Sequence, residues 1–333
     1  MNFERIVISR TDSIGDVMLT LPMLVWLKKN YPQSELIYLG SGYTRPVVDC
    51  FSVVDRFIDW KELEMLPTAE RVSRFSELRA DAIIHVFPVK EIASLAKKAK
   101  IPFRVGTSHR TFHLLTCNHR ISFTRKRSDL HESQLNFELL RPFGLREIPT
   151  LNAVREMLDA FVPTQTALPA EIAARVQNSR ENVVLHPKSQ GSALEWTIEN
   201  YVELAKRLAE KGAQVFFTGT ENEGKEFRHL IPDHALIMDT TGQMTLTELI
   251  TFIGKCNALV ACSTGPLHIA AFTGIRTVGL FSPRKPIHPG RWAALGRDVE
   301  ILVYDESCPI CKKGKTCKCI TQITVDSVYR TIT

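Results

Sequence analysis

No apolar run in this 333-residue chain approaches the roughly 20 residues needed to cross a bilayer. The first residues pass directly into Phe3-Glu4-Arg5-Ile6-Val7-Ile8, which reads as a strand and not as a signal peptide. A cytoplasmic protein is therefore expected, with at most peripheral contact at the inner face of the inner membrane. Gly-x-Gly-x-x-Gly is absent, which argues against a nicotinamide dehydrogenase. Between Lys97 and Arg127 there is no Asp or Glu, only nine Lys or Arg with His109, His113 and His119 among them. That segment lacks the interleaved aromatics of a base-stacking surface, so nucleic acid is not an expected partner. An acidic substrate or an anionic membrane surface suits it better, and a merely solvated basic face is the plainer alternative.

What is present is globular. Hydrophobic residues make up 44% and charged residues 23%, enough chain for two domains of common size. Strands are predicted at Glu35 to Leu39, Val54 to Ile58, Ala82 to Phe87 and Phe103 to Val105. Helices are predicted over Thr68 to Arg79, Lys90 to Ala99 and Leu130 to Leu140. Proline interrupts Leu145 to Leu168, which is assigned as the interdomain linker. A second alternating series begins at Asn182-Val183-Val184-Leu185-His186. It continues through helix Ile198 to Lys211, strand Ala213 to Phe217 and helix Leu246 to Lys255, and a last helix is predicted over Val325 to Ile332. The pattern predicts an α/β chain of two doubly wound, Rossmann-like domains facing across a cleft, with domains at 1–160 and 161–333.

Two stretches carry chemistry. Ala258-Leu259-Val260-Ala261 is a buried strand, then Ser263-Thr264-Gly265-Pro266 opens a helix that Gly274 ends. The free N–H groups and positive dipole end of such a turn seat a diphosphate, although many α/β turns bind nothing. Near the other end of the chain, Gly15 relaxes the backbone as the first strand gives way to helix. This puts Asp16 at the carboxyl edge of the sheet, where ligands gather, or makes it a simple helix cap. Of eight cysteines, four cluster as Cys308-x-x-Cys311 and Cys317-x-Cys319. They could hold one tetrahedral zinc, but Cys-x-Cys is an atypical second half. Reduced cysteines in a surface loop, with no metal, are the expectation.

Arg10-x-x-x-Ile14-Gly15-Asp16-Val17-x-x-x-x-Pro22 and Ser263-Thr264-Gly265-Pro266-Leu267-His268-x-Ala270-Ala271 resemble glycosyltransferase family 9, the ADP-heptose:lipopolysaccharide heptosyltransferases. Arg104-Val105-Gly106, His131-Glu132 and Trp196 extend the resemblance over nearly the whole chain. It implies the GT-B fold, with an acceptor site in the first domain and a nucleotide-sugar site in the second. Inverting, metal-independent transfer to an anionic, lipid-linked saccharide such as a lipopolysaccharide core is also implied, with no cofactor; the absence of any Asp-x-Asp pair agrees.

By resemblance, Asp16 is the general base. Lys188, Ser189, Gln190, Glu223, Met244 and Ser263 through His268 (Thr264, Gly265, Pro266, Leu267) bind the donor, and Arg10, Ser13, Gly15, Arg104, Arg110, Arg120 and His131 the acceptor. Two positions depart from the family. Ser263 stands where many members carry Asp, and Leu194 where a lysine neutralises the diphosphate. Lys188 is the proposed substitute, with Arg284 and Lys285 as second choices. The departures keep two other readings open: a nucleotide-sugar-binding protein without transfer, and a nucleotide-sugar epimerase.

Overall fold

The computed structural model describes residues 2–125, 128–179, 181–315 and 317–333. Lys126 and Arg127, the last cations of the basic segment, lie outside the described residues. The chain divides into two compact units, one ending at Val162 and the other starting at Pro163.

The first unit is built on β1 (Arg5–Ser9), β2 (Glu35–Gly40), β3 (Arg56–Asp59), β4 (Ala82–His85), β5 (Phe103–Thr107) and β6 (His119–Ile121). They form one parallel sheet in the order β3-β2-β1-β4-β5-β6. The central strands are apolar throughout because both faces are covered. Val7, Ile37 and Ile83 pack beneath Phe75, Ile92 and Leu95 of helices Thr68–Glu77 and Lys90–Lys98.

The second unit has β7 (Asn182–His186), β8 (Gln214–Phe217), β9 (Ile237–Asp239), β10 (Ala258–Cys262), β11 (Arg276–Phe281) and β12 (Val299–Val303). Their order is β12-β11-β10-β7-β8-β9, again parallel. Helix Ile198–Glu210 lays Tyr201, Leu204 and Leu208 on this sheet, and helix Val325–Ile332 adds Val328 to the same core. In each unit the chain winds outward in one direction, returns to the centre and winds the other way. The reversal lies between β1 and β4 in one unit and between β7 and β10 in the other, where open parallel sheets hold ligands.

Three edge strands escape the sequence reading. β6 and β9 have three residues each and β12 is mostly half-buried, so none shows a buried apolar run. The segment assigned as linker is partly ordered: helix Leu151–Glu156 is capped by the Thr150 hydroxyl, which accepts from Ala153 N–H. The long helix predicted over Leu130 to Leu140 is α-helical only over Glu132–Phe137. It tightens to a 3₁₀ turn through Phe143 and ends on Gly144 at φ 96°. That left-handed angle is cheap only for glycine.

Candidate functional site

At the carboxyl end of β1 the chain makes a single helical turn, Ile14–Met18, before helix Leu21–Asn30 starts with Pro22 in its first turn. Asp16 lies in that single turn. Arg10, only 3% exposed, gathers the site. Its Nε and Nη2 donate to the two carboxylate oxygens of Asp12 at 2.8 and 3.0 Å, Nη2 also donates to Asp16 Oδ1, and Nη1 donates to Asn136 Oδ1 at 3.2 Å. Glu132 Oε1 stands 3.6 Å from the same guanidinium and accepts from Arg125 Nε at 2.9 Å. The Ser13 hydroxyl donates to the other oxygen of Asp16. Asn136 turns its Nδ2 to Leu19 O and Thr20 Oγ1, tying the cluster to the start of the next helix.

Three carboxylates thus share two guanidiniums. Burial pushes the Asp12 carboxyl up to about 6 against the attraction of Arg10, and the nearby Asp16 charge adds to the rise. Burial alone would lower the Arg10 pKa, but Asp12, Asp16 and Glu132 together raise it, so the guanidinium stays charged. A carboxylate so placed can accept a proton while its position is held by two donors.

Other residues assigned to the acceptor are occupied elsewhere. Arg104 spends its guanidinium on the carbonyls of Thr116, at 2.7 Å, and Ile101. Arg120 braces the Leu114 and Cys117 carbonyls at 3.2 Å each. His131 is 2% exposed and caps helix Glu132–Phe137, its Nδ1 accepting from Ser133 N–H at 3.3 Å while Gln134 Oε1 accepts from the His131 N–H. Ser13 and Arg110 are exposed, and Gly15 is half-buried beside Asp16. Asp12, Arg125 and Asn136 were not singled out from sequence, and Glu132 was noted only within His131-Glu132, with no role of its own. The Arg10-x-Asp12 spacing was the available signal.

Behind this edge, His85 ends β4 fully enclosed, its two ring nitrogens without a hydrogen-bond partner and its ring 5.5 Å from that of His113. Burial, with His113 and Arg104 nearby, holds its pKa down to about 3. In the second unit burial holds His186 down to about 4, against the opposing pull of Glu223 and Glu195. Both imidazoles are neutral when folded and charge on unfolding once the pH is below about 6.5. Near pH 5 the unfolded chain therefore binds two more protons at these sites, while Asp12, protonated only in the fold, cancels one. Stability should rise with pH there by roughly 1.4 kcal/mol per unit from these three groups. Urea midpoints across pH 4 to 6 measure the slope, and His85→Leu should reduce it by about 1.4 kcal/mol per unit. An unchanged slope would show that His85 is not buried neutral.

In the second unit β10 ends at Cys262, and Thr264 takes the cap position of helix Gly265–Thr273. The Thr264 hydroxyl caps nothing: it is buried and has no hydrogen-bond partner. Gly265 and Leu267 N–H groups precede the first possible intrahelical bond, and Pro266 has none to offer. Leu267 and His268 are 0% and 2% exposed, so the turn presents backbone more than side chains. Ser263 is half-buried, and its carbonyl accepts from Ser192 Oγ at 3.3 Å.

Across the reversal point, the loop after β7 carries Lys188, Ser189 and Gln190. Ser189 N–H and Oγ both donate to Glu195 Oε1 at 2.8 Å. Lys188 Nζ is held by Glu195 Oε2 at 3.0 Å and Glu226 Oε2 at 2.8 Å. A diphosphate must compete with two carboxylates for that cation. Gln190 is exposed with φ 50°, followed by Gly191 at φ 78°, a strained tip just ahead of Leu194. Leu194 itself packs on the core, where an ammonium would be out of place. Glu223 closes a capping box, accepting from Thr220 N–H at 2.6 Å and Thr220 Oγ1 at 2.9 Å. Met244 is half-buried just before helix Leu246–Ile253.

The four clustered cysteines turn inward from a loop whose residues 309, 310 and 312–315 are exposed: Cys308, Cys311 and Cys319 are buried and their sulfurs converge with that of Cys317. Among the described residues they are the one group of three or more His, Cys, Asp or Glu close enough to share an ion. No helix of the described residues is long and apolar enough to cross a membrane.

Comparisons with known proteins bear on the family and the fold. The profile of Glycosyltransferase family 9 (heptosyltransferase) matches residues 74–321. A Haemophilus influenzae protein named as a glycosyltransferase, without a stated sugar, is 26% identical over 298 residues, 87% of this chain and 85% of that one. The lipopolysaccharide core heptosyltransferase OpsX of the same organism is 22% identical over 323 residues, covering 90% and 84%. Among solved structures, the E. coli ADP-heptose lipopolysaccharide heptosyltransferase II superposes with a TM-score of 0.75 at 19% identity, over 100% of this chain and 97% of that one, so the fold is GT-B. The chain is a glycosyltransferase and belongs to glycosyltransferase family 9, the heptosyltransferase family.

Proposed function

We propose that this transferase moves a heptose from ADP-heptose to a hydroxyl of an anionic, lipopolysaccharide-core-like acceptor, inverting the anomeric carbon without a metal at the reacting atoms. The observation that carries the reading is Asp16, fixed by Arg10 and Ser13 at the carboxyl end of β1. The acceptor oxygen attacks the anomeric carbon, its proton passes to Asp16, and the bond to the diphosphate breaks. The departing charge goes to the helix turn at Gly265, where the N–H groups of Gly265 and Leu267 and the idle Thr264 hydroxyl are the available donors. The acceptor falls to the first unit and the nucleotide to the second.

The test is incubation of the purified chain with ADP-heptose and a heptose-deficient core acceptor, reading product mass and anomeric configuration. A β-configured product from an α-configured donor, or the converse, with full rate in EDTA, is expected. Donor binding with no product from any acceptor would reduce the chain to a nucleotide-sugar-binding protein. An isomerised donor without acceptor would make it an epimerase.

The acceptor's lipid anchor implies contact with a membrane surface. Helix Thr111–Thr116 leaves Leu114 and Leu115 exposed at 55% and 75%, next to the exposed Arg110. Helix Lys90–Lys98 packs against it and ends at the exposed Lys97 and Lys98. Exposed leucines with cations on the same and the adjoining helix suit an anionic leaflet. Replacing both leucines by serine should weaken binding to phosphatidylglycerol vesicles by at least about tenfold, from the apolar area no longer inserted. Equal binding in a flotation assay would remove the membrane from this proposal.

A further inference from the structure

We propose that Cys308, Cys311, Cys317 and Cys319 hold one thiolate-bound divalent ion, Zn²⁺ or Fe²⁺, in a closed tetrahedral site that fixes the loop of residues 308–319. Their four sulfurs lie within 4.8 Å of one another. A tetrahedral ion with metal–sulfur bonds of about 2.3 Å separates its sulfurs by about 3.8 Å. Cys308 and Cys317 sulfurs are 3.7 Å apart and those of Cys311 and Cys319 3.9 Å, while Cys317 and Cys319, at 3.1 Å, must open. All four are free thiols.

The surroundings fit an ion better than a core. The buried sulfurs form a cluster of their own, with no aliphatic or aromatic partner in it, so burying them gains little from apolar packing. Helix Pro309–Lys312 presents the Cys-x-x-Cys pair, and the backbone N–H groups of Ile310 and Cys311 point at the Cys308 sulfur, the arrangement that supports a ligating thiolate. A divalent ion with four thiolates carries two net negative charges. Lys312, Lys313, Lys315 and Lys318 lie in the same stretch of chain, and residues 307–325 contain no acid. Four soft ligands with no open position select zinc or iron and suit a structural role.

The loop is pinned on two sides. The Cys311 sulfur lies 3.8 Å from Ser282 Oγ, and Arg284 Nε donates to Gly314 O at 3.2 Å, so the loop braces the chain leaving β11. Beyond Cys319, the Ile323 carbonyl accepts from the Trp196 indole at 2.8 Å. The ion therefore stiffens the β11 exit and the segment behind Glu195.

Elemental analysis of the full chain, expressed with both metals supplied and purified under reducing conditions, should find about one zinc or iron per chain and identify which. Cobalt added to the stripped protein should give the intense near-ultraviolet thiolate-to-metal absorption of a tetrahedral site, saturating at about one equivalent. Cys311→Ser and Cys319→Ser should each retain under about a tenth of the metal. Folded wild-type chain that takes up neither metal and shows no cobalt–thiolate absorption overturns the proposal. So does full metal content in both variants, or two irons with labile sulfide. The cobalt titration uses the wild-type chain and decides the matter even where the variants do not fold.

Discussion

Asp16→Asn is expected to lower turnover by about 10²- to 10⁴-fold, equivalent to roughly 3–5 kcal/mol of barrier, while leaving donor affinity unchanged. The asparagine oxygen can still accept from Arg10 and its amide can donate to the Ser13 hydroxyl, so the turn at Ile14–Met18 should keep its place while the proton-accepting carboxylate is lost. Asp12→Asn is the control that separates base from scaffold. Both Asp12 oxygens are spent on Arg10, so this substitution should cost stability more than turnover. The measurements are kcat with saturating acceptor and nucleotide-sugar Kd by calorimetry. If Asp12→Asn abolishes turnover and Asp16→Asn spares it, the base has been assigned to the wrong carboxylate.

Arg10→Met should destabilise the chain by about 3–5 kcal/mol, the usual consequence of removing one partner from a buried charge network. The thioether fills much of the same volume, but Asp12 loses both of its bonds and Asp16 one, while Glu132 keeps Arg125. Because the harm comes from stranded carboxylates, Asp12→Asn should be less damaging in the Arg10→Met background than alone. A coupling of about 1–3 kcal/mol in a double-mutant cycle, read from urea midpoints, is the expected size. Strict additivity would mean that the guanidinium is held by its packing and not by its charge.

The distinction between legible and hidden features follows the range of the interactions. The strand, turn and helix around Gly265 could be read in sequence because a buried apolar run, a small cap residue, proline in the first turn and a closing glycine all act within twenty residues. Asp16 at the end of β1 was legible for the same reason. Hidden were the partners chosen across the fold. Nothing near Arg104 in sequence announces that it would bond Thr116 O, and the basic segment looked like one surface when part of it braces its own loop. The departure at Leu194 suggested Lys188 as a stand-in cation, but Glu226, which shares that ammonium, lies far along the chain on helix Glu221–Phe227. Sulfur convergence in the tail depends on which way a Cys-x-Cys pair turns, and spacing alone does not say.

The wiring of the two sheets also orders events during synthesis. All six strands of the first unit precede the first strand of the second, so the nascent N-terminal half has its complete sheet before Asn182 leaves the ribosome. The second half has no such head start. Its core includes Val328, flanked by Tyr329 and Ile332, so helix Ile198–Glu210 waits for its cover until helix Val325–Ile332 has been made. A ribosome stalled late would therefore hold one finished half and one with a bare greasy face, the form that chaperones bind and proteases cut.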